Sequence, residues 1–456
     1  MRRTDHSRSS RRTVLLAAAA VLAVPAVAVP AAVGAASPSA PSVAADAELP
    51  SGNTAYRTLA DYEADMAELV ADHPDLVKPI TLPYPTTSGR TVRGVEISTD
   101  VNADDGKPVF VDVGMHHGNE FPSGELTMEF AIDLVQRAAA GDRHVTRLLD
   151  NARVVVVPIV NVDGFVRGRR QTDTNTDMNR NYGMGWLPIS TGGAAAWSEP
   201  ETRNIEWLLS TRQAVVFNTQ HTCIQVVLYP PLQLAAGPAQ DVDRLHSLAS
   251  EVASIYGPGY DALPSAEDYE TTGEAIDWAY YATRGLALTT ETCPDAGVAR
   301  TYETQVLDVY DEHREAMLTM LETAADPAQY AVIEGKGPKG AVLRITKAFD
   351  MYTSPYLQSD GATRPSSFTT TLTSDLTLGR NGKFEWAVNP SYRPIPAYQE
   401  DGVHGFQTGF YEEPWILTCE RPDGTVLETV PVNVDLGESI TVDLKECRRE
   451  FHKSRP

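Results

Sequence analysis

Residues 108–125 read PVFVDVGMHHGNEFPSGE. Val109, Phe110, Val111 and Val113 form an apolar run of the kind found in strands buried on both faces. The run stops at Gly114, and the polar HHGNE follows at once. In open α/β sheets, ligands bind beyond the carboxyl ends of the strands. His117 and Glu120 stand three residues apart just past this one. An imidazole and a carboxylate converging there would hold a zinc ion if a third ligand came from elsewhere. The same residues also read as a helix start, with Asn119 or Ser123 capping SGELTMEFAIDLV.

Outward from this stretch, strands and helices alternate. Upstream, a helix begins at Thr58, LADYEADMAELVADHP, and stops before Pro74. LVKPITLPYPTTSGRTVRGVEIS then reads as strands joined by a turn at Ser88-Gly89. Downstream, ARVVVVPIVNVDGF, AVVFNTQH and GLALTTET read as strands, and LTMEFAIDLVQRA, ETRNIEWLLSTR and VDRLHSLASEVASIYG as helices. The last helix is YETQVLDVYDEHREAMLTMLETAA. This alternation predicts an α/β fold, a mixed twisted sheet flanked by helices, over 54–327. Asp326-Pro327 breaks the pattern. Beyond it AVLRITKAF, SSFTTTLTSDLTL, GKFEWAV, PWILTCERP, GTVLETVPVNVDL and ESITVDL all read as strands, and Pro422-Asp423-Gly424 as a hairpin turn. Residues 328–456 are therefore expected to form a separate, all-β sandwich domain.

The chain has 456 residues, enough for two or three domains, and a net charge of −23. Its basic head is confined to residues 1–36, so the remainder is more acidic still. That argues against nucleic acid or an anionic membrane as partner. The head, MRRTDHSRSSRRTVLL, precedes AAAAVLAVPAVAVPAAVGAAS. A basic start, an apolar middle and small residues before Ser37 describe a cleaved secretory signal ending at Ala36. SRRTVLL, residues 10–16, resembles a bacterial twin-arginine export signal. A retained anchor is the alternative, and Pro25 and Pro30 weigh against it. Residues 37–53, rich in Ala, Pro and Ser, read as a flexible leader. The expectation is a secreted monomer, off the membrane once the signal is removed. Four cysteines in an exported chain suggest two disulfides, and their clustering favours Cys223–Cys293 and Cys419–Cys447 among three possible pairings.

The candidate third ligand is His221, at the end of AVVFNTQH; taken alone it would be a satisfied core histidine. Two His and a Glu would leave a fourth zinc position open, as a catalytic site needs. Glu291 ends the fourth strand, where a carboxylate could serve as general base, or could be an ordinary surface Glu. Arg169 and Arg170 follow the turn after the second strand, and DMNRNYG contributes Asn179 and Arg180. Arginines beside a metal suit the clamping of a carboxylate or an oxyanion; a solvated basic loop is the plain alternative. Tyr269 would cap the site as a mobile phenol, or would be a loop aromatic.

Taken together, these residues resemble the zinc carboxypeptidases related to carboxypeptidase A, over about 54–325. His117-Gly118-Asn119-Glu120 is similar to the family's zinc motif and His221 to its distant third ligand. The resemblance implies that Arg169 polarises the scissile carbonyl, that Asn179, Arg180 and Tyr269 grip the substrate's terminal carboxylate, and that Glu291 is the general base. It implies one Zn²⁺ per chain and peptide or protein C-termini as substrates. Leu228, Thr271, Ile276 and Thr289 match the family's side-chain pocket. Ile276 stands where an acid would select Lys or Arg, so release of neutral, apolar residues is expected; Asp268 beside Tyr269 would favour basic ones. Leu232 stands where a Gly would keep the pocket open. His116 falls outside the ligand register. Two other readings are a related amidase acting on peptidoglycan peptides or amino-acid conjugates, and an inactive member that binds peptides; retention of Glu291 beside all three ligands argues against the last.

Overall fold

The computed structural model describes residues 48–396 and 410–453. The expected signal, its cleavage point and residues 37–47 of the leader lie outside them. Eight strands form the main sheet: β1 (Val77–Thr81), β2 (Arg93–Ile97), β3 (Val109–Val113), β4 (Arg153–Val157), β5 (Ala214–His221), β6 (Val226–Tyr229), β7 (Asp261–Pro264) and β8 (Leu286–Glu291). Their order is β1-β2-β4-β3-β5-β8-β6-β7. The central four, β4, β3, β5 and β8, run parallel, while β2 and β6 join them antiparallel. Every residue of β3, β4 and β5 is buried, which is why these strands are continuous apolar runs rather than alternating ones. The helices Phe121–Ala139, Val242–Tyr256, Ala275–Thr283 and Tyr310–Ala325 pack against the sheet. Strands β6 and β7 have four residues each, too few for a periodic signal, and the sequence reading missed both.

The expected first helix spans Leu59–Asp72. Thr58 caps it in a reciprocal capping box with Asp61. Residues 48–53, expected to belong to a flexible leader, are instead docked. Leu49 packs with Leu126, Val306 and Tyr310, and Ser51 donates from both N and Oγ to Glu129. The final expected helix is broken, with a wide turn at Glu303–Leu307 before Tyr310–Ala325.

Beyond Gln329 the chain is strand-rich. Ser367–Thr377, Val342–Tyr352, Trp415–Glu420 and Val426–Val432 form one sheet, and Lys383–Val388, Ala331–Lys336 and Ser439–Asp443 another. In Val342–Tyr352 alternate residues point inward: Leu343, Ile345, Lys347, Phe349 and Met351. This region packs on the α/β part without a break. Phe368 stacks edge-on against Trp197, which does the same with Trp278, and one hydrophobic cluster runs through both. Cys223–Cys293 and Cys419–Cys447 are bonded as expected.

Candidate metal centre

Parallel register sets the site. In the β5–β8 pair His221 lies opposite Glu291, so both reach the carboxyl rim of the sheet at one level. In the β3–β5 pair Val113 lies opposite Thr219, so the chain leaving β3 arrives beside His221. The turn after β3 is then tied down. Gly118 N donates to the Arg170 carbonyl, and Ser123 Oγ accepts from Met115 N while donating to the Glu120 carbonyl. A Cβ on Gly118 would lie 2.2 Å from the Gly164 carbonyl carbon, so the residue between His117 and Asn119 must be glycine. Glu120 thus ends the turn, and the helix starts at Phe121.

Three donor atoms converge here. His117 Nδ1 lies 2.6 Å from Glu120 Oε1, His221 Nδ1 lies 3.1 Å from Glu120 Oε2, and the two Nδ1 atoms are 3.1 Å apart. All three side chains are buried. Two imidazole nitrogens at that distance do not satisfy each other unless a proton or a cation stands between them. Tetrahedral ligands bound at about 2.0–2.1 Å would be separated by about 3.3 Å, so the donor set fits zinc. The outer nitrogen of His117 donates to Asp177 Oδ1 at 3.1 Å, which fixes the ring with Nδ1 inward. His116 is turned away: its nitrogens meet the Tyr182 hydroxyl at 2.8 Å and Thr219 Oγ1 at 2.7 Å.

Electrostatics match this crowding. Burial pushes Glu120 up, but His117 and His221 outweigh it and hold the carboxyl well below its usual range. Burial opposes the charge on His117, yet Glu120 and Asp177 raise it to about 9. Glu291 is pushed up to about 8, first by burial and then by the Glu120 charge. A dication among the three donors would bring it down again.

A cavity of about 250 Å³ opens over these groups. Its lining brings together His117, Glu120, His221, Glu291, Asn179, Arg180, Tyr269, Leu228 and Thr289 of the expected set. Arg180 Nη2 donates to the Tyr269 hydroxyl at 2.9 Å, and Asn179 Oδ1 accepts from Ala275 N. Three expected residues lie outside the lining, among them Thr271, whose Oγ1 donates to Glu274. Ile276 is fully buried and is not in the lining. Arg169 reaches Asn175 and Asp173, outside the cavity. Its neighbour Arg170 takes the inner position, with Nε and Nη2 on Asp177 at 2.9 and 2.8 Å and Nη1 3.6 Å from Glu120. Choosing between adjacent arginines needed the loop's conformation, which the pattern does not carry. The sequence reading also passed over Asp177 and Glu274. Glu274 is buried in the lining and accepts from Thr271 Oγ1, Ser265 Oγ and Arg180 Nη1. The signal that could have found Asp177 is its place two residues before Asn179, in the quoted DMNRN.

Residues 62–315 match the family model described as zinc carboxypeptidase, more than half of the chain, and the chain belongs to that family. Among curated relatives, it is 28% identical over 256 residues to carboxypeptidase B of Bos taurus, covering 49% of this chain and 60% of that protein. It is 27% identical over 264 residues to the zinc carboxypeptidase of Simulium vittatum, covering 49% of this chain and 81% of that one. The solved carboxypeptidase A from Helicoverpa armigera superposes with a TM-score of 0.52 at 21% identity, over 59% of this chain and 74% of its own, a likeness of fold. The chain thus spans about three fifths of the carboxypeptidase B it matches.

Proposed function

We propose that the protein is a secreted metallocarboxypeptidase that releases the last residue of peptides and proteins. The observation carrying this is that one cavity is lined both by the converging His117, Glu120 and His221 and by the paired Arg180 and Tyr269. The first group is a metal donor set. The second is a carboxylate clamp, and a clamp for a chain terminus makes an exopeptidase.

A zinc ion held by His117, Glu120 and His221 would supply Lewis acidity, polarising the scissile carbonyl and acidifying water. Glu291 takes the proton from the attacking water and returns it to the departing amine. Arg170, rather than Arg169, donates to the developing oxyanion, since its guanidinium faces the cavity beside Glu120. Asn179, Arg180 and Tyr269 receive the terminal carboxylate. Tyr269 is 55% exposed, so its ring has room to swing and admit the chain end.

The neutral, apolar preference rested on Ile276, which is not part of the lining. Leu228 and Ile224 give the cavity an apolar side, while Asp268 and Glu274 add two acids. We infer that the pocket takes Lys or Arg as well as neutral residues. Blocked dipeptides ending in Leu, Phe, Lys, Arg or Leu-amide, assayed with and without a zinc chelator, test the whole reading. Chelator-sensitive release from the free acids, with the amide untouched, is expected. No release by zinc-loaded protein would refute the carboxypeptidase reading.

A further inference from the structure

The segment carrying Tyr269 is held at both ends by one short stretch, Pro231–Leu234. Ala266 N donates to the Pro231 carbonyl at 2.9 Å, and Thr271 N to the Leu232 carbonyl at 3.1 Å. Gln233 Nε2 donates to the Thr271 carbonyl at 3.0 Å, and Leu234 N to the Glu270 carboxylate at 2.9 Å. Residues 266–271 therefore form an arch with Tyr269 near its apex and residues 231–234 as its footing. Just past the arch, Thr271 Oγ1 donates to Glu274, which is joined to Arg180.

The footing is itself held from the strand-rich region. Ser354, buried just past the end of the long strand Val342–Tyr352, shares its one Oγ hydrogen between Gln233 Oε1 and the Gly185 carbonyl, both at 3.0 Å. Thr272 Oγ1 donates to that same carbonyl at 2.7 Å, and Ser354 N donates to the Trp186 carbonyl at 3.2 Å. Tyr356 packs edge-on against Trp186. Both polar ends of Gln233 are thus in use: its oxygen faces Ser354 and its nitrogen faces the arch. A side-chain amide bridging two segments in this way couples the position of one to the other; its nitrogen also lies 3.5 Å from the Gly185 carbonyl, on the anchor's side.

We propose that Ser354 and Gln233 are positioning residues through which the C-terminal β region sets the arch carrying Tyr269, and hence the geometry of the carboxylate clamp. The β region then has a part in recognising the chain end, beyond covering the α/β part. This rests on the reading of Arg180 and Tyr269 as the clamp.

Gln233→Glu isolates the link, since it keeps the acceptor for Ser354 and replaces the donor to Thr271 by a second acceptor. Ser354→Ala removes the anchor, and Ser354→Thr restores a hydroxyl. Two readouts are compared in full-length, zinc-loaded protein: hydrogen–deuterium exchange over residues 266–274, and kcat and KM on a free-acid dipeptide. Faster exchange confined to 266–274 is expected for Gln233→Glu and Ser354→Ala, with KM raised about five-fold, one hydrogen bond's worth of positioning, at nearly constant kcat. Ser354→Thr is expected to recover both. Unchanged exchange over 266–274 in Gln233→Glu would overturn the proposal. So would acceleration spread evenly through the α/β part, which marks general destabilisation. The exchange arm needs no substrate, so it decides the proposal even if wild-type protein hydrolyses nothing, an outcome that instead defeats the carboxypeptidase reading.

Discussion

At the amino ends of β3 and β4, Arg153 donates to Glu96, to Asp105 through two nitrogens, and to the carbonyls of Val101 and Ala103. Lys78 and Lys107 add ion pairs to Glu96 and Asp105. These groups line a cleft of about 470 Å³, larger than the cavity at the other end of the sheet. At the carboxyl ends, two imidazole nitrogens stand 3.1 Å apart against one carboxylate, and His221 Nε2 has no partner among the described residues. The five charges of the first cluster are saturated, each meeting its opposite, although Arg212 Nε and Gln213 Nε2 beside them have no partner among the described residues. The second is crowded, with donor atoms that only an added cation or proton reconciles. Between the two ends, cavity size favours the first, and the crowding of metal-ligating atoms the second.

The comparison can be broken at the crowded end first. Glu291→Gln is expected to lower kcat by about 10³–10⁴-fold with zinc still bound at one per chain, because only the proton shuttle is removed. Retained activity in zinc-replete Glu291→Gln would show that the rim's carboxylate is ornamental. Next in size is a paired test of the two arginines. Arg170→Ala is expected to lower kcat/KM by about 10²-fold, the loss of an oxyanion donor, and Arg169→Ala to change it by less than about two-fold. Steady-state kinetics on one peptide settles it, and the reverse ranking would return the role to Arg169.

Which of these features could be seen in the chain alone follows from how local their cause is. The buried strands β3, β4 and β5 were legible because apolar runs ending in HHGNE, NVDG and QH state both the strand and its end. His117, Glu120, His221 and Glu291 followed, since a residue at a strand's carboxyl end has its height fixed by the sheet. Irregular backbone gave no such ruler. Arg169 and Arg170 are adjacent, and only the loop beyond Gly168, itself in the left-handed conformation, decides which one turns inward. Ile276 was assigned by its match to the family's side-chain pocket, and it lies on a helix whose residues are all buried, a packing that the match does not carry. Glu274 was invisible for the opposite reason: a Glu before an apolar helix reads as an N-terminal charge, and its role in the lining depends on Arg180, 94 residues away.

At the saturated end the expectation is stability without activity. Arg153→Met leaves Glu96 to Lys78 and Asp105 to Lys107, but takes the donor from the Val101 and Ala103 carbonyls, a loss of about 1–3 kcal/mol. Chemical denaturation would read that loss, while kcat and zinc content of the folded fraction stay at wild-type values. A fall in kcat instead would mean that the two ends are coupled through the sheet.

The smallest effect tests whether an unsatisfied charge always marks function. Glu201 is fully buried beside Glu199, Asp163 and Asp173, and among the described residues neither carboxylate oxygen has a hydrogen-bond partner in another residue. Burial, then the Glu199 charge, raises it to about 7. It lies outside the cavity lining. The folded state holds its proton more tightly than the unfolded chain, so its contribution to stability is present below the ordinary carboxylate range. That contribution is lost as pH rises from there through about 7. Glu201→Gln removes the ionisation. The variant is expected to match wild type at pH 5 and to exceed it at pH 8 by about 1–3 kcal/mol, the cost of leaving such a group desolvated, at unchanged kcat/KM. A variant that is less stable at pH 8, or that loses activity, would mean that the Glu201 charge has a partner and a task. Dissatisfaction would then mark function at a second place in the fold; an activity-neutral gain would confine that rule to clusters in which metal donors face one another.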